Sequence, residues 1–94
     1  MSLQPRVGLG IIVENSKGEV LIGKRIGSHT PYYSIPGGSL ELGEDFEHGA
    51  LRELTEETGL HSVKANVVAL TNNLQTFRDE AVHFISVILH VSVY

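Results

Sequence analysis

The sequence contains no cysteine, so a disulfide framework is excluded. It also lacks a long hydrophobic run, because no apolar stretch approaches the ~20 residues that a membrane helix requires. Residues 1–6 have neither the basic flank nor the apolar stretch of a secretory signal. These absences favour a soluble cytoplasmic protein that does not associate with membranes.

Positive charge is scarce as well: 7 lysines and arginines stand against 11 aspartates and glutamates, for a net charge of -4. A sequence-independent nucleic-acid binder would display a stripe of basic residues, and the sequence has none. We therefore expect no nucleic-acid partner. If an acidic protein nevertheless handles a polyanion such as a nucleotide, a cation must mediate the contact, and a metal ion is the obvious candidate.

The length and composition that are present suit one globular domain without a linker. Residues 7–13 read V-G-L-G-I-I-V, which is rich in β-branched side chains, and the turn signal N-S-K-G follows at residues 15–18. Residues 19–25, E-V-L-I-G-K-R, are predicted to complete a hairpin. A short strand at residues 34–35 is expected before a loop over residues 36–38.

One helix is bracketed at both ends by its sequence. Asp45 suits the N-cap, residues 46–58 have helical periodicity, and Gly59 can supply the left-handed residue after the last turn. Apolar side chains fall on one side of this helix and charged ones on the opposite arc. The apolar side comprises Ala50, Leu51 and Leu54, and the charged arc comprises Arg52, Glu53, Glu56 and Glu57, with Gly49 among them.

After the helix, residues 64–77 and 82–94 have the pattern of two long strands, joined by a polar turn at residues 78–80. The sequence stops inside the second of these strands. We therefore expect a chain that is C-terminally incomplete, or a partner that covers the exposed sheet.

Three glutamates lie within about one turn of the helix, at positions 53, 56 and 57. Like charges at this spacing destabilise a helix by a few tenths of a kcal/mol per pair, which favours either raised pKa values of the carboxyl groups or a bound cation. Carboxylate oxygens suit Mg²⁺ or Mn²⁺, whose remaining positions can be taken by water and phosphate oxygens. The alternative is a solvated acidic face, which is common on surface helices.

Three glycines favour a metal site over a solvated face. Gly37 and Gly38 follow Pro36, and a backbone without Cβ atoms can approach a metal ion or a phosphate closely. Gly49 lies within the acidic arc, where glycine costs ~1 kcal/mol relative to alanine, so a close neighbour is expected to need the space. The loop and the helix are therefore predicted to form one site.

From Gly38 onward the chain reads G-S-L-E-L-G-E-D-F-E-H-G-A-L-R-E-L-T-E-E-T-G-L. This segment resembles the signature of the Nudix family, G-x5-E-x7-R-E-U-x-E-E-x-G-U, in which U is aliphatic. The preceding hairpin is also similar to the first strands of that family, so the resemblance extends over nearly the whole chain. The matching positions are Gly38, Glu44, Arg52, Glu53, Leu54, Glu56, Glu57, Gly59 and Leu60.

The resemblance implies catalytic roles for Glu53, Glu56 and Glu57, whose carboxylates would bind Mg²⁺ or Mn²⁺. Glu53 is the first choice for the base that activates the attacking water. The backbone carbonyl of Gly38 would be a further metal ligand.

The resemblance also implies residues that support this site. Glu44 and Arg52 would form a charge pair that holds the loop against the helix, and Gly37 and Gly49 would give structural support. Arg25 stands where many family members have an arginine that contacts a substrate phosphate. The alternative for Arg25 is a solvent-exposed arginine at the end of a strand.

The fold implied by the resemblance is an α/β/α sandwich on a mixed sheet, here a single domain over residues 1–94 without the usual C-terminal part. The sequence is most similar to the MutT-type branch, so we expect a nucleoside triphosphate to be cut to monophosphate and pyrophosphate. ADP-ribose or another nucleotide sugar is the alternative substrate, and a catalytically silent nucleotide-sensing module is the alternative of another class. Tyr33 or Phe77 could stack on a base, and a homodimer is an expectation of the resemblance alone.

Overall fold

The computed structural model describes residues 4–24, 33–74, 78–79 and 82–94. Four strands precede the helix in the chain, and two long strands follow it. They are β1 (Arg6–Glu14), β2 (Gly23–Lys24), β3 (Tyr33–Ser34), β4 (Gly37–Ser39), α1 (Phe46–Thr58), β5 (Ala65–Asn73) and β6 (Phe84–Ser92).

Four strands form one mixed sheet in the order β4-β1-β6-β5. β1 and β6 run parallel along their whole lengths, from Arg6 beside Phe84 to Glu14 beside Ser92. β4 and β5 are antiparallel to β1 and β6 respectively, while β2 and β3 pair with each other in a second, small sheet. The two central strands are long because both are rich in β-branched residues, which suit a pleated surface buried on one side.

α1 packs on one face of this sheet. Side chains on a strand alternate between its two faces, so every second residue of β1 and of β6 lies on the face that carries the helix. Burying such a side chain contributes about 1.5–3 kcal/mol relative to leaving it exposed. The core comprises Leu9, Ile11 and Val13 of β1, Val87, Leu89 and Val91 of β6, Ala50 and Leu54 of α1, Ala65 of β5, and Val93, all of them buried.

The predicted start and end of the helix are confirmed. The side chain of Asp45 accepts a hydrogen bond from the His48 backbone N–H at 2.7 Å, which satisfies one of the free donors of the first turn. At the other end Gly59 has a φ of 73°, and its N–H donates to the Thr55 carbonyl at 3.0 Å.

The predicted strand over residues 19–25 is largely wrong. The turn before it is present, since the Gly18 N–H donates to the Asn15 carbonyl at 3.1 Å and Gly18 has a φ of 78°. Beyond the turn, strand structure in residues 19–24 is limited to a bridge between Glu14 and Val20 and to the short β2, while residue 25 lies outside the described part of the chain. Because β6 covers one edge of β1 and β4 takes part of the other, the returning segment can pair only with the end of β1.

The glycine pair also differs from its prediction. Gly37 and Gly38 lie in β4, opposite Gly10 and Leu9 of β1, and not in a loop. Ser34 ends β3, whereas Ile35 lies outside any strand. The glycines therefore have a fixed backbone position next to the helix.

The two long C-terminal strands are present but shorter than predicted. β5 ends at Asn73, consistent with the low strand preference of asparagine, and β6 begins at Phe84. Arg78 and Asp79 have helical backbone where the sequence predicts a turn.

The predicted α/β class with a mixed sheet is confirmed. α1 supplies one helical layer of the expected sandwich, and a second layer is not found among the described residues. Within the same residues no helix is long and apolar enough to cross a membrane.

Candidate active site

Arg52 is the centre of an ionic network that joins α1 to β4 and to the turn after it. Its Nε and Nη2 donate to the two carboxylate oxygens of Glu44, at 2.8 Å and 2.9 Å. Nη2 also donates to the Ser39 carbonyl at 3.1 Å. Nη1 donates to Glu53 at 2.7 Å and to Glu56 at 3.2 Å. The structure thus brings three acidic residues of the family signature, Glu44, Glu53 and Glu56, to the guanidinium of Arg52.

Glu44 is held beside Arg52 by the turn in which it lies. Its N–H donates to the Glu41 carbonyl at 3.1 Å, and Gly43 has a φ of 80°, a conformation that favours glycine. The hydrogen bonds from Arg52, followed by one from the Glu41 N–H at 3.0 Å, lower the pKa of Glu44 to about 2. The hydrogen bonds to Glu44 and Glu53 raise the pKa of Arg52 above its ordinary value. Both partners are therefore charged at neutral pH.

Glu53 is buried, with only 9% of its surface exposed, although it belongs to the charged arc of the helix. Its carboxylate lies against the backbone of Gly38, and a Cβ at position 38 would overlap the carboxylate atoms. A buried carboxylate requires a hydrogen-bonded counter-charge, which Arg52 provides. Glu53 can keep this position only if residue 38 is glycine.

Two more glycines allow the helix and β4 to approach β1. A Cβ at position 37 would overlap the Leu9 carbonyl. A Cβ at position 49 would lie 2.7 Å from Leu9 Cδ1 and 2.9 Å from Glu44 Oε1. The close neighbours that the sequence pattern predicts for Gly49 are therefore Leu9 and Glu44.

A cavity of about 970 Å³ opens beside the helix and β4. Glu57 and the pair Gly37–Gly38 lie in its wall, whereas Glu53 and Glu56 are directed at Arg52. Of the three signature glutamates of α1, Glu57 is thus the one that lines the cavity. The rest of the wall includes Leu21, Ile35, Asn73, Phe84 and Ser86.

The donor chemistry at this place fits a hard divalent cation. Four carboxylates contact the single guanidinium of Arg52, so the cluster carries excess negative charge, and Glu57 lies nearby on the same helix. Carboxylate oxygens and the Gly38 carbonyl are the kinds of ligand that Mg²⁺ and Mn²⁺ prefer. In the part of the chain that the structure describes, however, no three acidic or histidine side chains are arranged so that they could hold a metal ion together. Glu53 and Glu56 face Arg52 instead.

Of the substrate contacts predicted from sequence, only Tyr33 lies within the described residues. Arg25 and Phe77 lie outside the described residues. Tyr33 is 67% exposed and does not belong to the cavity wall. Phe84, which the sequence pattern does not single out, is the aromatic residue that the described chain contributes to that wall. Its position could have been inferred from β6, where it alternates with the buried residues and so faces away from the core.

These features define a class of α/β domain. Its acidic helix α1, the glycine-containing strand β4 and the ionic network around Arg52 lie beside one cavity. A family model described as the NUDIX domain matches residues 4–93. The chain belongs to the NUDIX family, as the resemblance of its sequence predicts.

Curated relatives have a more specific description. The RNA pyrophosphohydrolase of Orientia tsutsugamushi (strain Boryong) is 36% identical over 76 residues, which cover 81% of this chain and 46% of the relative. The RNA pyrophosphohydrolase of Roseobacter denitrificans is 42% identical over 65 residues, which cover 69% of this chain and 41% of the relative. The chain spans less than half the length of these relatives.

Solved structures share the fold. The MutT NUDIX hydrolase from Burkholderia pseudomallei superposes with a TM-score of 0.81 at 24% identity, covering 96% of this chain and 68% of that one. The MutT protein from Methanosarcina mazei Go1 gives a TM-score of 0.77 at 23% identity, with coverages of 96% and 65%. The sheet and its helix therefore have a MutT-like arrangement.

Proposed function

We propose that the protein is a pyrophosphohydrolase that cleaves a phosphoanhydride bond by metal-assisted attack of water. The observation that carries this proposal is the buried Glu53 carboxylate, which Arg52 holds against the backbone of Gly38, while Gly38 and Glu57 line the adjoining cavity. An excess of carboxylates around one arginine is unfavourable for folding alone, whereas a divalent cation would compensate it. Membership in the NUDIX family supports the same chemistry.

In this proposal Glu53 is the base that takes the proton from the attacking water. Glu53, Glu56, Glu57 and the Gly38 carbonyl would hold Mg²⁺ or Mn²⁺. The bound cation supplies charge neutralisation on the phosphate oxygens and makes water easier to deprotonate. Arg52 positions Glu53, and Glu44 positions Arg52.

The preferred substrate is a nucleoside triphosphate, cut to monophosphate and pyrophosphate, with Arg25 as a phosphate contact. A cavity of about 970 Å³ is within the range of small-molecule sites. The names of the curated relatives support RNA as a second candidate, although the net charge of -4 argues against a strong phosphate-backbone contact. ADP-ribose or another nucleotide sugar is the third candidate.

The test is a substrate panel with the full-length native protein and Mg²⁺. Nucleoside triphosphates, 5′-triphosphorylated RNA and ADP-ribose are compared by rate, and the product masses show which bond is cut. Fast release of monophosphate and pyrophosphate from a nucleoside triphosphate is expected. If only the RNA or only ADP-ribose were hydrolysed, that compound would replace the nucleoside triphosphate as the proposed substrate. Nucleotide binding without any turnover would indicate the catalytically silent sensing module.

A further inference from the structure

Every hydrogen-bond donor of the Arg52 side chain has an acceptor in this structure. A guanidinium carries five N–H groups, one on Nε and two on each Nη. The Nε donor and one Nη2 donor bind Glu44, the other Nη2 donor binds the Ser39 carbonyl, and Nη1 binds Glu53 and Glu56. All five donors of Arg52 are therefore in use.

A fourth carboxylate nevertheless lies next to this guanidinium. Glu41 Oε1 is 3.4 Å from Arg52 Nη1, close enough for an ion pair but without a hydrogen bond of its own. The turn that places Glu44 also places Glu41, because the Glu41 N–H donates to Glu44 and the Glu44 N–H donates back to the Glu41 carbonyl. Glu41 is not one of the constrained positions of the family signature.

The four carboxylates divide into two kinds by exposure. The side chains of Glu44 and Glu53 are only 13% and 12% exposed, so the fold holds them in place. Those of Glu41 and Glu56 are 64% and 57% exposed, and both approach the same nitrogen, Nη1. Nη1 thus has one fixed acceptor and two exposed acceptors that can exchange.

We propose that Glu41 is a positioning residue that accepts the Nη1 hydrogen bond of Arg52 when Glu56 turns away to bind a divalent cation. This inference rests on the proposed function, because it requires a cation at the helix glutamates. Without Glu41, Arg52 Nη1 would lose a charge-assisted hydrogen bond when Glu56 turns away, and nothing would replace it. The cation would then compete with Arg52 for the carboxylate of Glu56. With Glu41 in place, Arg52 keeps its full set of acceptors and continues to hold Glu53.

The test is Mn²⁺ binding to the full-length protein, measured from the electron paramagnetic resonance signal of free Mn²⁺. Wild type is compared with Glu41→Gln, Glu56→Gln and the double variant. Glu41→Gln should bind Mn²⁺ about three- to tenfold more weakly, because glutamine can still accept a hydrogen bond from Arg52 but without the charge that makes such a bond about twice as strong. In the Glu56→Gln background the same change should alter Mn²⁺ affinity by less than about twofold, because residue 56 then has no carboxylate that could leave Arg52 for the cation.

Glu47→Gln is the matched control, since Glu47 is another exposed carboxylate of α1 and makes no ion pair with Arg52. It should leave Mn²⁺ binding within about twofold of wild type. The melting temperature of metal-free Glu41→Gln should equal that of wild type, because Glu53 and Glu56 still occupy Nη1.

Three results would overturn the proposal in distinguishable ways. Unchanged Mn²⁺ affinity in Glu41→Gln would remove any role for Glu41. An equal loss in the wild-type and Glu56→Gln backgrounds would mean that Glu41 acts by charge alone, without an exchange. If wild type itself bound no Mn²⁺, the metal site of the proposed function would fail first, and the exchange with it.

Discussion

Arg52 donates to both carboxylate oxygens of Glu44, from Nε at 2.8 Å and from Nη2 at 2.9 Å. The pair joins the middle of α1 to the turn that follows β4. Bidentate pairs of this kind fix orientation as well as distance. Because the same helix and strand also bring Glu53 against Gly38, the geometry of the candidate site depends on the contact between Arg52 and Glu44.

Glu44→Gln should destabilise the protein at neutral pH, and the effect should fade in acid. The pKa of Glu44 is lowered from 4.5 to about 2 in the folded protein. Its carboxylate therefore contributes stability that is present above pH 4.5 and is lost as the pH falls through about 2. Denaturation curves of the variant and wild type from pH 7 to pH 2 should converge at the acid end. A difference that stays constant over this range would refute the role of the ionised Glu44.

Gly38→Ala should impair catalysis more than folding. The added methyl group would overlap the Glu53 carboxylate, which must then move from its position. A displacement of about 1 Å at a reacting group can lower turnover about 100-fold, and we expect a loss of that order. Gly8→Ala is the control on the neighbouring strand, because its nearest contact, Phe84 Cδ1, is at an ordinary 3.7 Å. Similar turnover in the two variants would show that the contact between Gly38 and Glu53 is irrelevant to catalysis.

Gly49→Ala separates helix preference from packing. Alanine gains ~1 kcal/mol over glycine inside a helix, but overpacking costs about 1–3 kcal/mol. The new methyl group would lie 2.7 Å from buried Leu9 and 2.9 Å from a Glu44 oxygen that Arg52 holds in place. We expect packing to prevail and the free energy of unfolding to fall by about 1 kcal/mol in urea denaturation. A stabilised variant would mean that Leu9 and Glu44 adjust without cost.

The N-cap of α1 should respond to pH through His48. Its Nδ1 is 2.7 Å from the Asp45 carboxylate, whose hydrogen bond raises the pKa of His48 above the ordinary 6.5. Protonated His48 thus contributes stability that is present below pH 6.5 and is lost as the pH rises through the raised pKa. Titration of the His48 ring by NMR should show a lower pKa in Asp45→Asn than in wild type. The same pKa in both proteins would argue against this contact in solution.

The helix could be predicted from sequence because its signals are local. Asp45 and Gly59 determine where it begins and ends through hydrogen bonds to the adjacent turn, and these do not depend on the rest of the chain. The segment after Gly18 could not be predicted in the same way. Whether its residues form a strand depends on which edge of β1 is free, and β4, a distant segment, already occupies part of that edge.

In the site, too, features set by neighbouring residues can be predicted from the sequence, whereas contacts between separate elements are harder to predict. Periodicity places Glu53 on the charged arc, but it cannot show that β4 covers Glu53 and leaves it buried. The spacing of the signature predicts that Glu44 and Arg52 belong together, whereas the approach of Glu41 depends on the shape of the turn between them. Residues at fixed helical spacing can be placed from the sequence, whereas a tertiary contact outside the signature, such as that of Glu41 with Arg52, cannot.

The most direct test of the account is the Mg²⁺-dependent turnover of a nucleoside triphosphate by wild type and Glu53→Gln. Glutamine keeps the shape of the side chain and an acceptor for Arg52, but it cannot take the proton from water or supply charge to a cation. We predict that turnover falls by about 10²–10⁴-fold while the melting temperature stays close to that of wild type. Glu47→Gln, which removes an exposed carboxylate from the first turn of the same helix, should retain its activity. Turnover in Glu53→Gln close to that of wild type would contradict the assignment of Glu53 and of the site built around it.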